Sequence, residues 1–291
     1  MEQETGLQNM DAVVAEGRER TRTNSDQSDE KKPLTADDKQ RLGDEHIRKG
    51  LVQEAISEYV RAVRMEENNP SRHTRLGDAY AYAEAPEKAL AEYRKAMKIS
   101  PRRAEPHYSL GELYRRHGRL NAAVAEYRKA VLYNSMNPFY RYKLGDALSQ
   151  VGLIEEAIGH LEIAVQIAPT DGFYHFWLAD LYTAALKLQD AVREMQHATI
   201  FSPYDPYYSL RLGVLYLRVG LVEEAVSALT TAVRLQPRDP VYHAALGDAY
   251  ARQGRQAEAA ASYRRAGRLD PYDASNLSRI RRLSNDAKES K

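Results

Sequence analysis

The fold is decided by residues 104–137, which read AEPHYSLGELYRRHGRLNAAVAEYRKAVLYNSMN. The first half places His107, Leu110 and Tyr114 at the three-and-four spacing that puts side chains on one face of a helix. Gly118 interrupts this pattern, and the second half resumes it with alanines on either side of a tyrosine. The stretch therefore predicts two short helices joined by a tight turn.

The same stretch recurs along the chain at a fixed interval of 34 residues. The Leu-Gly pair returns at Leu42, Leu76, Leu110, Leu144, Leu212 and Leu246, and Leu178-Ala179 fills the remaining place. A bulky residue between two alanines returns at Tyr59, Tyr93, Tyr127, Leu161, Met195, Leu229 and Tyr263. Seven copies follow one another without insertion or deletion, at residues 36–69, 70–103, 104–137, 138–171, 172–205, 206–239 and 240–273. Because one hairpin cannot bury its own apolar face, we expect the copies to stack.

These residues resemble the tetratricopeptide repeat family, whose signature combines a Leu-Gly pair, alanines around an aromatic residue and a closing proline. The resemblance implies an all-α fold, a right-handed α-solenoid of antiparallel helix hairpins, with the seven repeats at residues 34–273. Residues 1–33 are polar and mixed in charge, which predicts a disordered tail. Residues 274–291 predict a capping helix and a short basic tail, because their apolar residues share one helix face.

Composition excludes several classes of function. The net charge of +1 argues against a broad nucleic-acid-binding surface, and the absence of cysteine excludes disulfides and thiolate metal sites. No apolar run reaches the ~18 residues of a membrane span, and the start lacks the features of a signal peptide, so we expect a cytoplasmic protein. The usual catalytic and phosphate-binding motifs are also missing. The sequence therefore predicts no enzyme, no cofactor and no metal.

The resemblance places the first helix of each hairpin on the concave face, where the central copies are rich in aromatic residues. The predicted peptide-binding residues there are Tyr108, Phe139, Tyr142, Phe173, Phe176, Trp177 and Tyr207, joined by Asp146, Asp180 and Arg211. Aromatic anchors with polar surroundings are common binding hot spots. The alternative is that some of these rings only pack against the adjacent hairpin. The favoured partner is a protein or peptide segment, bound by a non-catalytic scaffold or adaptor that supports assembly or regulation of a complex.

Acidic residues form a second column on the first helices, at Asp44, Asp78, Glu112, Asp146, Asp180 and Asp248. One interpretation is a row of carboxylates that binds a basic or backbone-donating ligand. The favoured interpretation is pairing within each helix, because Glu112 lies four residues before Arg116 and Asp248 four residues before Arg252. The family's best-known subgroup grips chaperone tails with groove asparagines, and acids stand in those places here, so that ligand is not expected.

The fifth copy departs most from the repeat pattern. It has Ala179 in place of the packing glycine, Leu186 in place of the turn glycine, and Gly172 in place of the leading proline. Because functional sites are where proteins tend to break their own structural rules, we expect the binding site to centre on this copy.

Two further groups of residues, a column of histidines and the arginines near the end of the sequence, could have either a structural or a binding role. The column His73, His107, His175 and His243 is interpreted as packing, since successive hairpins lie ~10 Å apart and cannot share one metal. The arginines near the end are Arg264, Arg265, Arg268, Arg279, Arg281 and Arg282. They form either a solvating cap or a docking patch, and the patch would make the protein an accessory nucleic-acid or anion binder.

Overall fold

The computed structural model describes residues 34–273, together with Ser275, Ser278 and Arg279. The tail predicted at 1–33 lies outside the described residues, and so does the capping helix predicted at 274–291 apart from those three positions. Residues 34–273 form fourteen α-helices and no strand, which confirms the all-α prediction. The helices are α1 (Ala36–Arg48), α2 (Val52–Met65), α3 (Pro70–Tyr82), α4 (Pro86–Ile99), α5 (Ala104–Arg116), α6 (Leu120–Tyr133), α7 (Pro138–Gln150), α8 (Ile154–Ile167), α9 (Gly172–Ala184), α10 (Leu188–Phe201), α11 (Pro206–Val219), α12 (Val222–Leu235), α13 (Pro240–Arg252) and α14 (Gln256–Leu269).

The chain divides into two compact units between Glu67 and Asn68. The first unit contains one hairpin, α1–α2. The second unit is an α-solenoid of six hairpins, α3–α4 to α13–α14, in which each hairpin contacts the next. All of the predicted peptide-binding residues belong to this second unit.

Most first helices of the hairpins begin at a side-chain cap. The residue before the helix accepts a hydrogen bond from a backbone N–H of the first turn, which satisfies a donor that the helix leaves unpaired. The capping residues are Thr35 (α1), Asn69 (α3), Asn137 (α7), Asp171 (α9), Asp205 (α11) and Asp239 (α13). Thr35 forms a capping box with Asp38. These caps fix where the first helices start, and hence which side chains share a face.

Within a hairpin the two helices meet where a small residue faces a bulky one. A Cβ atom added to Gly111 would lie 2.6 Å from the Tyr127 ring, so only glycine fits that approach. In the fifth hairpin the same two places hold Ala179 and Met195, both fully buried. An unbranched methionine chain can make room for a Cβ where a tyrosine ring cannot. Packing therefore accounts for Ala179, and a binding site centred on the fifth copy stays a prediction.

The other two departures of the fifth copy also have structural counterparts. Gly172 starts α9 against the end of α10, and a Cβ there would lie 2.9 Å from the carbonyl oxygen of Ala198. Leu186 takes a left-handed backbone conformation with φ of 59°, and Glu84 does the same in the second hairpin with φ of 56°. The structure thus accommodates both departures locally.

The core of the second unit consists mainly of two clusters that meet at α9. One cluster extends from α5 to α9 and includes Tyr174 and Leu178, whereas the other extends from α9 to α13 and includes Phe176. Trp177 is partly buried and packs against both clusters. The helix that carries Trp177 therefore joins the two parts of the core.

The close approach of α7 and α8 generates a stability prediction. Gly145→Ala should lower the free energy of unfolding by about 1–3 kcal/mol, because the new Cβ would overlap the buried Leu161 side chain. The matched control is Gly159→Ala in α8, whose Cβ would meet nothing within 4 Å. That change should stabilise the helix by about 0.5–1 kcal/mol, because alanine loses less backbone entropy than glycine. Urea unfolding measures both, and equal effects of the two substitutions would contradict this account of the packing.

Candidate functional site

Six aromatic rings on four successive first helices form an unbroken chain of contacts, here called the aromatic ladder. Its members in order of contact are Tyr108 (α5), Phe139 and Tyr142 (α7), Trp177 and Phe176 (α9), and Tyr207 (α11). Successive ring centroids lie 5.7, 6.0, 5.2, 5.5 and 5.7 Å apart. Phe173 lies beside the ladder, 4.8 Å from Tyr142 and 6.2 Å from Trp177. The structure therefore brings all seven predicted aromatic residues together.

The rings differ in their exposure to solvent. Phe139 is 39% exposed and Tyr207 is 43% exposed, and Tyr142 and Trp177 are partly buried. Phe176 is only 8% exposed, and its ring stacks on Tyr208 of the next hairpin at 4.9 Å. The alternative of packing against the adjacent hairpin therefore applies to Phe176, whose assignment to the open groove was wrong.

A row of tyrosines behind the ladder was missed from the sequence. Tyr140 stacks on Tyr108 at 5.1 Å, Tyr174 meets Phe173 edge-on at 5.3 Å, and Tyr208 stacks on Phe176. All three tyrosines occupy the third position of their repeats, so reading that column would have revealed them. Tyr140 and Tyr208 thus pack against ladder rings, and Tyr174 packs against Phe173 beside the ladder.

A shallow cavity of about 390 Å³ opens at the α5 end of the ladder. Its lining includes Tyr108, Phe139 and Tyr140, together with the polar residues Asp78 and Asn137. The rings therefore line a depression on the surface of the second unit, and a ligand side chain can enter it.

The acidic column is held mainly by tyrosine hydroxyls, which the sequence analysis did not foresee. In four hairpins the tyrosine between the two alanines reaches across to the acid of the first helix and donates a hydrogen bond to it. The pairs are Tyr59 with Asp44 (2.7 Å), Tyr93 with Asp78 (2.9 Å), Tyr127 with Glu112, and Tyr263 with Asp248 (2.8 Å). The hairpins that contain Leu161, Met195 or Leu229 have no such hydroxyl to offer.

The predicted pairing of these acids within their own helices is found for Glu112, although its partner on α5 is Arg115 and not Arg116. Glu112 binds Arg115 at 3.1 Å and, from the next hairpin, Lys143 at 3.1 Å, rather than Arg116. Arg252 donates to the carbonyl oxygen of Leu217 rather than to Asp248. Burial opposes the charged form of Glu112, but hydrogen bonds from Tyr127, Arg115 and Lys143 outweigh it and lower its pKa. These acids therefore connect helices and hairpins to one another.

Asp180 and Arg211 form an ion pair that spans two hairpins. Arg211 also donates a hydrogen bond to the hydroxyl of Tyr207 at 3.0 Å, and its guanidinium lies 5.6 Å from the centroid of the Phe176 ring. Burial disfavours the charge of Arg211, but the bonds to Tyr207 and Asp180 prevail and raise its pKa. The third predicted polar residue, Asp146, accepts a hydrogen bond from the side-chain amide of Gln150 at 3.0 Å.

Three histidines of the column contact a glutamate on the second helix of their hairpin, and each such buried His–Glu contact is called a clasp here. The Nδ1 atoms of His73, His107 and His175 lie 2.6–2.7 Å from a glutamate of the second helix, namely Glu92, Glu126 and Glu194. The Nε2 atom of His175 lies 3.0 Å from the carbonyl oxygen of Pro169. Packing therefore accounts for these three histidines.

One of these clasps has donor atoms close enough for a metal ion. The ligand atoms of His175, Glu194 and His197 lie within 4.8 Å of one another. In the third hairpin, however, the place of His197 is taken by Lys129, which binds Glu126 at 2.8 Å. Because the same clasp forms with a lysine, and both nitrogens of His175 already have hydrogen-bond partners, we interpret the group as structural.

The basic end is only partly described. Arg264, Arg265 and Arg268 are exposed on α14, whereas Arg279 lies 3.4 Å from Asp248 and near the Tyr263 ring. Arg281 and Arg282 lie outside the described residues. One of the predicted patch residues is therefore engaged within the chain.

Among the helices that the structure describes, none combines the length and the apolar character needed to cross a membrane.

Two family models match parts of the chain. One, described as tetratricopeptide repeat, matches residues 210–274, and the other, described as TPR repeat, matches residues 86–118 and 111–152. No curated protein matches the sequence. The second match includes α4 to α7, which carry the Tyr108 end of the aromatic ladder, whereas Tyr207 at the other end precedes the first match.

Solved structures share the fold at low sequence identity. YrrB, described as a TPR protein with an unusual peptide-binding site, aligns with a TM-score of 0.53 at 22% identity over 62% of this chain and 92% of its own. PilW, described as a widely conserved type IV pilus biogenesis factor, aligns with a TM-score of 0.59 at 19% identity over 69% of this chain and 94% of its own. PilF of Pseudomonas aeruginosa aligns with a TM-score of 0.58 at 18% identity over 69% and 92%. These likenesses establish the fold alone.

The buried clasp of His175 generates a prediction about pH. Burial disfavours its charge, but hydrogen bonds to Glu194 and to the Pro169 carbonyl outweigh it and raise the pKa of His175. A raised pKa means that the clasp stabilises the fold fully below the unfolded pKa of about 6.5 and loses that contribution as the pH rises through the folded pKa. His175→Gln should therefore cost about 1–3 kcal/mol of unfolding free energy in mildly acidic buffer, and clearly less at about pH 9.

The matched control is His243→Gln, since His243 bonds the Pro237 carbonyl at 3.0 Å and its repeat has Ser262 where the others have glutamate. Its effect should vary little with pH in the same urea titrations. A loss for His175→Gln that does not change with pH would show that the pKa of His175 is the same in the folded and the unfolded protein, and would contradict this account.

Proposed function

Since the chain is a tetratricopeptide repeat protein, and so has the fold of a protein-interaction scaffold, we propose that it binds an extended peptide segment along the aromatic ladder without catalysing a reaction. The observation that carries the proposal is the unbroken contact of six rings over four hairpins, with exposed rings at Phe139 and Tyr207. Such a row of rings is long and narrow, which suits an extended segment better than a compact ligand.

Energetic arguments favour binding at these rings. Aromatic anchors that are partly buried and held in one orientation lose little entropy when a partner covers them, and they dominate many protein interfaces. Tyr140, Tyr174 and Tyr208 supply that support from behind. The ion pair of Arg211 with Asp180 borders the far end of the ladder and adds a polar rim.

The cellular role that we attach to this activity is that of an adaptor, one that supports assembly or regulation of a complex. A peptide-binding site is part of the description of YrrB, and a biogenesis role is part of that of PilW, both of which share this fold. These descriptions make a peptide ligand and an assembly role reasonable for this chain. The cytoplasmic location expected from the sequence stays a prediction.

Nucleic-acid or anion binding through the basic end is the alternative, and we do not favour it. Arg279 is engaged by Asp248, and the exposed arginines of α14 have no aromatic residues interleaved with them. Phosphate binding falls steeply with salt, whereas an aromatic surface depends on burial of apolar area. Binding that persists at high salt would thus separate the two functions.

The test uses peptides selected from a random display library on the full chain. Phe139→Ala and Tyr207→Ala should each weaken binding of a selected peptide by about 5–30-fold, because each change removes an exposed anchor ring. The melting temperature should change little, since neither ring is buried. Calorimetric titration measures the affinity, and thermal unfolding checks the fold.

The matched control is Tyr204→Ala, which removes an 85% exposed tyrosine from the loop before α11, away from the ladder. It should leave the affinity unchanged. A library that yields no peptide, or peptides that bind the two ladder variants as tightly as the natural chain, would refute the proposed function.

A further inference from the structure

Each acid of the first helices in the second unit has two places from which a partner can come. One is the bulky position on the second helix of its own hairpin, where a tyrosine hydroxyl can donate to it. The other is the sixth position of the next repeat, which lies 31 residues further along the chain. Lys143 and Arg211 occupy that second place and bind Glu112 and Asp180.

The two places can be compared across the hairpins. Asp78 has both partners, the hydroxyls of Tyr93 and Ser109. Glu112 has Tyr127 and Lys143, and Asp248 has Tyr263 and Arg279. Asp180 has Met195 in the first place but Arg211 in the second. In the sixth hairpin both places hold apolar residues, Leu229 and Ala245, and the acid itself is replaced by Val214.

Asp146 is the exception to this correspondence. Its two partner places hold Leu161 and Trp177, which supply neither a hydroxyl nor a cation. Within residues 34–273 its carboxylate makes no ion pair, and it accepts only the amide of Gln150. Lys143 lies three residues away on the same helix but binds Glu112 at 3.1 Å instead. Where both partner places are apolar, the sixth hairpin has Val214 at the acidic position, whereas the fourth hairpin has Asp146 there.

The surroundings of Asp146 are aromatic. Trp177 takes the place from which Lys143 and Arg211 contact the preceding acid, and its ring lies 5.2 Å from Tyr142. Tyr142 is one helical turn from Asp146, and burial together with the charge of Asp146 raises the pKa of Tyr142 to about 12. A carboxylate close to a tyrosine, with a tryptophan at the position of its usual partner from the next hairpin, provides both kinds of attraction that a cation recognises, namely a negative charge and ring faces.

We propose that a lysine or arginine side chain of the bound peptide segment packs against the Trp177 ring and forms an ion pair with the carboxylate of Asp146. The bound cation thereby takes the place that Lys143 and Arg211 fill from within the chain in the neighbouring hairpins. This inference rests on the proposed function, because it names the chemistry of the segment that the aromatic ladder binds. A phosphate-bearing ligand does not fit, since the carboxylate would repel it.

The first measurement is selection of random peptides on the full chain and, in parallel, on Asp146→Asn. Peptides selected on the natural chain should carry lysine or arginine at one fixed position relative to their apolar anchors. Selection on Asp146→Asn should keep the anchors and lose the fixed basic residue. Peptides that share anchors but no basic position would overturn this inference and leave the proposed function standing, whereas a library without binders would overturn both.

The second measurement is a double-mutant cycle with one selected peptide. Asp146→Asn should weaken binding by about tenfold or more, and should have no effect on a peptide whose basic residue is replaced by methionine. The matched control is Asp248→Asn, the same change in the same column, outside the ladder and with Tyr263 and Arg279 as partners. Equal losses for both peptides would show that Asp146 acts only through the fold.

A third variant makes the chain supply its own cation. Trp177→Lys restores the lysine found at this position in the preceding hairpin, and the new ammonium should pair with Asp146. Binding of the basic peptide should fall by at least about tenfold, and more than with Trp177→Leu, which removes the ring without adding a charge. If the lysine variant binds the basic peptide as well as the leucine variant does, Asp146 is not the site of the peptide's charge.

Discussion

The contact between the glycine of the first helix and the bulky residue of the second is the constraint on which the other features depend. At Gly111 the two helices come so close that the Tyr127 ring lies where a Cβ would be, and the hydroxyl of that ring then reaches Glu112. One side chain thus sets the spacing of the helices and anchors the acid beside it. Where leucine or methionine replaces the tyrosine, the spacing is kept but the anchor is lost, so packing and surface charge vary separately from hairpin to hairpin.

The fold could be predicted because each repeat states the same pattern again. Any single hairpin is ambiguous, but seven copies in register leave no doubt about the helices or the short turns between them. The aromatic residues of the site could be predicted by their repeat position, since helix phase fixes the face on which a side chain lies. Phe176 shows the limit of that argument, because phase does not tell whether the next hairpin covers the ring, as Tyr208 does here.

The partners of the charged residues could be read only in part from spacing within one helix. Glu112 had Arg116 at a favourable spacing, yet it binds residues from its own second helix and from the next hairpin. A buried hydroxyl donor and a cross-hairpin lysine gain more from partial burial than an exposed pair gains in water. The correlation between columns was nevertheless present in the sequence, because Tyr127 and Lys143 accompany Glu112 while Leu229 and Ala245 accompany Val214.

The division of the core at α9 has a mechanical consequence. In a repeat array each hairpin contacts only its neighbours, so tension along the chain passes through each contact between hairpins in turn. Trp177 touches both clusters at α9. A segment bound across Trp177 would contact both parts of the core, so that the two parts would separate less readily under tension.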